Sequence, residues 1–206
     1  MTVTVRVRSA KLGDMNYLAH LHLGGQRPGQ LLGSLYGDFV KGRLQGQFDP
    51  EVEAAIQLHR SIDVFTDRHP LVDVSLSRFS LTRRRYAGIV LDVFFDHCLA
   101  RDWGLYAEQP LELFTSDVYR VLASERQLPE RLARIAPHMM ANDWLGSYRQ
   151  FDVLEQVLRG ISRRLTRPEE LAGAMQELRV LYEPLSEDFR LFYPQLQRFV
   201  QNHPAK

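Results

Sequence analysis

Apolar residues that follow Met15 recur three and four positions apart, which is the spacing of one face of an α-helix. Alternating polar and apolar positions, the pattern typical of strands, are scarce there. The stretch LLGSLYGDFVKG at 31–42 predicts a helix that glycines delimit. Other predicted helices cover about 51–65, 83–104, 110–126, 129–146, 150–166 and 168–200. The pattern therefore predicts an all-α, single-domain helical bundle.

Capping residues and prolines predict where several helices begin and end. Asp49 followed by Pro50 is typical of a helix start, because Asp caps free N–H groups and proline suits the first turn. This helix is expected to end before Pro70, since the residue before a proline disfavours the helical conformation. Thr82 is the expected cap of the 83–104 helix. Breaks are expected near Pro137, Pro184 and Pro194.

Length, charge and cysteine content narrow the class of protein. The 206 residues suffice for one domain with a sizeable core, expected at 15–206 after an N-terminal extension at 1–14. A net charge of +1 lacks the basic excess of a nucleic-acid binder. No apolar run reaches the roughly 20 residues of a membrane span, and the N-terminus lacks the apolar stretch of a secretory signal. The single cysteine, Cys98, forms no internal disulfide, which favours a cytoplasmic protein.

Acidic and imidazole side chains interrupt two of the apolar helix faces. Asp92 and Asp96, in YAGIVLDVFFDHCLARDWG, are four residues apart and so share a helix face with apolar neighbours. His59 and Asp63 repeat this spacing on another predicted helix, with Asp67 one turn beyond. Burial of uncompensated charge is costly, so an interaction is needed that offsets it.

A divalent cation shared between facing helices would offset this cost. Carboxylate and imidazole ligands suit manganese or magnesium, with ferrous iron as a further candidate. In YLAHLHL, His20 and His22 are two residues apart, so at most one is expected in the site if the segment is helical. The candidate ligands are Asp38, His59, Asp63, Asp92, Asp96 and His20. A hydrogen-bonded polar network without a metal is the alternative interpretation.

The stretch TRRRY at 82–86 is a dense basic cluster at a predicted helix start. The helix dipole does not favour cations at that position, so a binding partner is one explanation for them. An acidic protein or a phosphate group would serve, and a solvated face paired with nearby acids is the alternative. Lys41 and Arg60 would extend the same positive surface.

Four ordered blocks of this sequence resemble those of a known family. They are MNYLAHLHL, LLGSLYGDFVKG, IQLHRSIDVFTDRHP and RRRYAGIVLDVFFDHCLARDW. They resemble the signature blocks of the acyl carrier protein phosphodiesterase family, and the likeness runs from Met15 to about Tyr193. The resemblance implies an HD-domain-like helical fold, from the HD phosphohydrolase superfamily. It also implies a hydrolysis in which water releases 4′-phosphopantetheine from the serine of holo-acyl carrier protein.

The resemblance further implies roles for individual residues. Manganese or magnesium would be held by the candidate ligands, would polarise a phosphoryl oxygen and would lower the pKa of a bound water. The superfamily's His-Asp doublet is reversed here, as Asp96 then His97, so which of the two faces the metal stays open. The candidate catalytic residues are Asp63, Asp67, His97 and Arg60, which would supply a general base and balance charge at phosphorus. The candidate docking residues for the acidic carrier protein are Arg83, Arg84, Arg85 and Lys41.

Two other functions fit the same sequence. A related metal phosphohydrolase acting on a nucleotide or a small phosphodiester would use the same ligands without needing the basic surface. A non-enzymatic helical binding module would have a purely structural polar core and would bind no metal. The sequence leaves the oligomeric state open.

Overall fold

The computed structural model describes residues 17–204, which form ten α-helices and no strand. The prediction of an all-α, single-domain bundle is confirmed, whereas the predicted extension at 1–14 lies outside the described residues. The helices are α1 (Tyr17–Gly24), α2 (Pro28–Phe39), α3 (Pro50–Thr66), α4 (Pro70–Ser77), α5 (Ala87–Arg101), α6 (Leu111–Ser124), α7 (Glu130–Ala141), α8 (Trp144–Ser147), α9 (Val153–Ser162) and α10 (Ala174–Gln201). Short 3₁₀ helices cover Trp103–Leu105 and Pro168–Leu171.

Helix α5 is the central element of the bundle. Nearly all of its side chains are buried, and it packs against α1, α4, α9 and α10. Such all-round burial is typical of a helix in the middle of a core. The polar residues Asp96 and His97 are buried with their apolar neighbours and therefore need partners from other helices.

Helices α2 and α3 pack unusually closely because two glycines of α2 face α3. A Cβ atom at Gly33 would lie 2.4 Å from the carbonyl oxygen of Val52, and one at Gly37 would lie 2.2 Å from Cγ of His59. A side chain at Gly33 would therefore displace the backbone of α3, and one at Gly37 would displace the His59 ring. These glycines lie inside α2, so the prediction that glycines delimit this helix was wrong. Their spacing of four places both on one helix face, which brings Asp38 close to His59.

The two predicted helix starts had opposite outcomes. Helix α3 begins at Pro50, and the side chain of Asp49 accepts a hydrogen bond from the Glu51 N–H, as predicted. Helix α5 begins at Ala87, so the predicted start at Arg83 with Thr82 as cap was wrong. The guanidinium of Arg83 is buried and donates to the carbonyls of Glu170 and Ala172 and to the carboxylate of Glu177. These contacts hold the preceding turn outside the helix.

The expected breaks at three prolines were also wrong. Pro137 lies inside α7, and Pro184 and Pro194 lie inside the 28-residue α10. Each proline removes one backbone hydrogen bond, but buried apolar residues flank both prolines of α10 and stabilise the helix across them. Among residues 17–204, no helix combines the length and apolarity that crossing a membrane would require.

Candidate metal centre

Side chains from α1 and α3 meet at one point in the interior. One ligand-type atom from each of His20, His59 and Asp63 lies within 4.8 Å of the other two. The two imidazole rings stack with centroids 3.6 Å apart and planes inclined by 15°. Asp63 is 43% exposed and lies at the mouth of the cluster, whereas both histidines are buried. The structure therefore brings together three of the six predicted metal ligands.

A backbone contact sets the orientation of His59. Its Nδ1–H donates to the carbonyl oxygen of Ser34 over 2.7 Å, which leaves Nε2 to face the carboxylates. Nε2 lies 3.4 Å from Oδ1 of Asp38 and 3.6 Å from Oδ2 of Asp63. A bare Nε2 lone pair opposite two carboxylates is repulsive, so either a proton or a cation is needed between them. Metal-binding histidines are commonly oriented by such a carbonyl contact at the other ring nitrogen.

Three buried polar atoms of the cluster are unsatisfied. Among residues 17–204, Nδ1 and Nε2 of His20 and Oδ2 of Asp38 have no hydrogen-bond partner. Nε2 of His20 lies 3.2 Å from Oδ1 of Asp63, which is an ion-pair distance, and makes no hydrogen bond. Unsatisfied buried polar atoms are rare in proteins and each costs free energy. Nitrogen and carboxylate oxygen donors of this kind fit a divalent cation.

The ionisation of the cluster reflects burial and crowding of charge. Burial, together with the nearby charges of Asp63, Asp67 and Asp38, raises the pKa of Asp92 to about 8. Burial and the adjacent His59 lower the pKa of His20. Burial also lowers the pKa of His59, but its contacts with Asp38 and Asp63 outweigh this effect and leave the pKa raised. Several carboxyl groups thus surround the two histidines, and Asp92 holds its proton at neutral pH.

Asp96 lies beside this cluster, where it supports α1. Its two carboxylate oxygens accept hydrogen bonds from the N–H groups of Leu18 and Ala19, at 3.1 and 3.0 Å. These donors belong to the first turn of α1, which has free N–H groups. Burial raises the pKa of Asp96, against the lowering effect of these hydrogen bonds. Asp96 therefore fixes the helix that presents His20.

His97, a candidate catalytic residue, and His22, which was considered together with His20, lie outside the cluster. His97 Nδ1–H donates to the carbonyl of Tyr148 and its Nε2 accepts from the Tyr182 hydroxyl, so the ring is not brought into the cluster. His22 contacts the hydroxyl of Tyr193 and the carbonyl of Tyr106. Only His20 of the YLAHLHL pair joins the cluster, as expected for a helix.

The predicted basic residues divide into two groups. Arg60 donates to the carbonyls of Val40 and Gly42, at 2.8 and 2.9 Å, so its guanidinium is directed at the loop that follows α2. Lys41 lies between these two residues and is exposed. In the turn before α5, Arg84 and Arg85 are exposed, whereas Arg83 is buried and cannot belong to an exposed docking surface.

Sequence reasoning missed two residues that build the centre. Ser34 supplies the carbonyl that orients His59, and Gly37 makes room for the imidazole ring. The spacing of Gly33 and Gly37 was the available signal, because glycines four apart on a helix allow a close neighbour. The Ser34 contact leaves no sequence signal, since any residue supplies a backbone carbonyl.

The fold and the cluster define a helical protein with a candidate imidazole–carboxylate metal centre. The family model described as acyl carrier protein phosphodiesterase matches residues 15–196, and the chain belongs to that family. It is 37% identical over 190 residues to the acyl carrier protein phosphodiesterase of Yersinia pestis, covering 91% of this chain and 98% of the relative. It is 37% identical over 184 residues to that of Escherichia coli O6:H1, covering 88% and 95%. No solved structure matches, so the likeness to HD phosphohydrolases stays a prediction.

Proposed function

We propose that this protein hydrolyses the phosphodiester that joins 4′-phosphopantetheine to the serine of holo-acyl carrier protein. The observation that supports the proposal best is the cluster of His20, His59 and Asp63, with its unsatisfied buried nitrogens, in a member of this family. In the reaction, water adds to phosphorus and the bond from phosphorus to the serine oxygen breaks. The serine oxygen takes up a proton, and the products are apo-carrier and 4′-phosphopantetheine.

We assign the binding of a divalent cation, manganese or magnesium, to His20, His59 and Asp63, with Asp38 beside them. The cation would supply Lewis acidity at a phosphoryl oxygen and lower the pKa of water. Asp38 lies 3.4 Å from Nε2 of His59 and has one unsatisfied oxygen, which makes it the next candidate ligand. Asp92 is close enough to Asp63, Asp67 and Asp38 for their charges to raise its pKa, so a cation bound at the centre would favour its ionised form.

Proton transfer and positioning fall to other residues in this proposal. Asp67 is exposed, lies one turn beyond Asp63 and influences the ionisation of Asp92, so we assign it the role of proton acceptor from water. Arg60 acts as a positioning residue, because its guanidinium holds the loop next to the end of α2, where Asp38 lies. His97 has no role in the chemistry here, since both ring nitrogens have other partners.

Docking of the acidic carrier is assigned to Arg84, Arg85 and Lys41, which are exposed. Arg83 supports them indirectly, because its buried contacts hold the turn that presents Arg84 and Arg85. Charge complementarity of this kind increases the rate of association more than the affinity.

The test is to incubate the purified protein with holo-acyl carrier protein and Mn²⁺, and to follow the carrier by mass spectrometry. We expect loss of the mass of the prosthetic group, and no loss after EDTA treatment or with the Asp63→Asn variant. A parallel panel of nucleotides and small phosphodiesters should be hydrolysed far more slowly. Efficient hydrolysis of the panel with an intact carrier would overturn the proposal in favour of a small-molecule phosphohydrolase.

A further inference from the structure

A groove lies between the second half of α3 and the end of α10. The α3–α10 groove has a volume of about 670 Å³, and its lining includes Arg60, Val64, Phe65, Arg68 and Phe199. Successive helix residues are about 100° apart, so Arg60 lies about 60° around α3 from Asp63, and Val64 about 100°. The Arg60 edge of the groove therefore adjoins the cluster, and the rest of the groove faces away from it.

The groove combines an apolar floor with a basic edge. Phe65 and Phe199 stack with centroids 4.4 Å apart and form the floor, and Val64 beside them is 45% exposed. Arg60 and Arg68 lie at the edge, and no acidic side chain is among the described residues that line the groove. Among residues 17–204, the Arg68 side chain has no carboxylate partner.

A larger groove elsewhere differs in charge. It has a volume of about 910 Å³ and lies between α1, α2 and α6. Its lining includes Glu108, Asp117 and Glu125, against one arginine, Arg120, which is paired with Asp117. An acidic protein would be repelled there and attracted to the α3–α10 groove.

We propose that the α3–α10 groove is the part of the docking surface that receives apolar side chains of the acidic carrier protein. This inference rests on the proposed function for the identity of the partner. Apolar contact supplies affinity, while Arg68 and Arg60 select the acidic surface around it. A carrier bound at this groove contacts the helix that presents His59 and Asp63, and the Arg60 edge of the groove is the part nearest the centre.

The experiment measures binding without turnover. Labelled holo-acyl carrier protein is titrated in EDTA, and Kd is obtained from fluorescence anisotropy at low and high salt for the unaltered protein, Arg68→Glu and Val64→Gln. We expect Kd to rise about tenfold for Arg68→Glu at low salt, less at high salt, and about threefold for Val64→Gln. The control Arg120→Glu, in the other groove, should stay within about twofold. Circular dichroism and Mn²⁺ affinity check that each variant is folded.

Three outcomes would overturn the inference. They are unchanged Kd values in both groove variants, failure of the unaltered protein to bind the carrier, and a dimer that sedimentation detects and Arg68→Glu dissociates. The last outcome would assign the groove to a second copy of this chain. If binding followed the expected pattern but the carrier was not cleaved, the proposed function would be refuted and the proposed docking surface would be retained.

Discussion

Two buried polar clusters, one around His97 on α5 and one around His20 on α1, differ in whether their hydrogen bonds are satisfied. Around His97, Arg101 donates to the Tyr182 hydroxyl at 2.7 Å, the hydroxyl donates to His97 at 2.9 Å, and Asp102 pairs with Arg101. Around His20, three buried atoms lack a partner within the described chain. A satisfied network is complete as a structural element, whereas an unsatisfied one indicates a missing ligand.

The charges of the two clusters differ in the same direction. The hydrogen bond from Arg101 lowers the pKa of Asp102, so this carboxylate is ionised and paired. Burial raises the pKa of Asp92 to about 8, and no arginine contributes to that shift. A divalent cation bound nearby would favour the ionised form of such a carboxyl group. The Asp96-His97 doublet in the sequence does not show which of the two kinds of cluster its residues belong to.

Removing one aspartate from each cluster is the strongest test of this difference. Asp63→Ala should lower turnover by about 10³-fold and abolish tight Mn²⁺ binding, because a ligand is lost. The free energy of unfolding of the metal-free protein should change by less than about 1 kcal/mol, since the Asp63 side chain is 43% exposed. Asp102→Ala should do the reverse, costing about 1–3 kcal/mol of stability while turnover persists. If the two variants lost turnover equally, the two clusters would not differ in function as proposed.

Asp38→Asn tests the edge of the unsatisfied cluster. The amide keeps the size of the carboxylate but loses its charge and one acceptor oxygen, next to His59 Nε2. We expect Mn²⁺ affinity to fall about 10- to 100-fold, with little change in the melting temperature measured in EDTA. Isothermal titration calorimetry gives the affinity, and unchanged binding would remove Asp38 from the ligand set.

What could be predicted from the sequence depends on how far apart the interacting residues are in the chain. The start of α3 was predicted because Asp49 caps the adjacent Glu51 N–H. The late start of α5 was not, because the partners of Arg83 are 87 to 94 residues away. A local rule could not anticipate those contacts.

The same limit applies to the site. Periodicity correctly indicated that Asp96 is buried, but its partners, the N–H groups of Leu18 and Ala19, are 78 and 77 residues away. The meeting of His20 with His59 likewise depends on how α1 packs on α3. Ligand-type residues could therefore be proposed from the sequence, whereas the choice among them required the fold.

The pH dependence of cation binding tests the difference in ionisation between the two clusters. Asp92, with a pKa of about 8, holds a proton at neutral pH that a bound cation would displace. Mn²⁺ affinity should therefore rise with pH up to about 8, by at most about tenfold per pH unit, and then level off. Calorimetry in buffers of different ionisation enthalpy should detect proton release at pH 7. A pH-independent affinity between 6 and 8 would contradict this assignment.

Arg60 tests whether the loop after α2 matters to the centre. Arg60→Met removes two hydrogen bonds to the carbonyls of Val40 and Gly42 and should lower Mn²⁺ affinity about fivefold, because Asp38 is held less firmly. Arg60→Lys should recover part of this affinity, since an ammonium can still donate to one carbonyl. Loss of thermal stability with unchanged Mn²⁺ affinity in both variants would restrict Arg60 to a structural role.

The satisfied cluster should respond to mutation only through stability. Tyr182→Phe removes the hydroxyl that donates to His97 Nε2 and accepts from Arg101, while the ring keeps its contacts with Phe94 and Phe151. Urea unfolding should show a loss of about 1–2 kcal/mol, the usual result of leaving a part-buried polar group without its partner. Mn²⁺ affinity should stay within about twofold, because neither cluster shares a ligand-type atom with the other. If Mn²⁺ affinity fell as well, the two clusters would be coupled, and satisfied hydrogen bonds would not distinguish a structural network from a site.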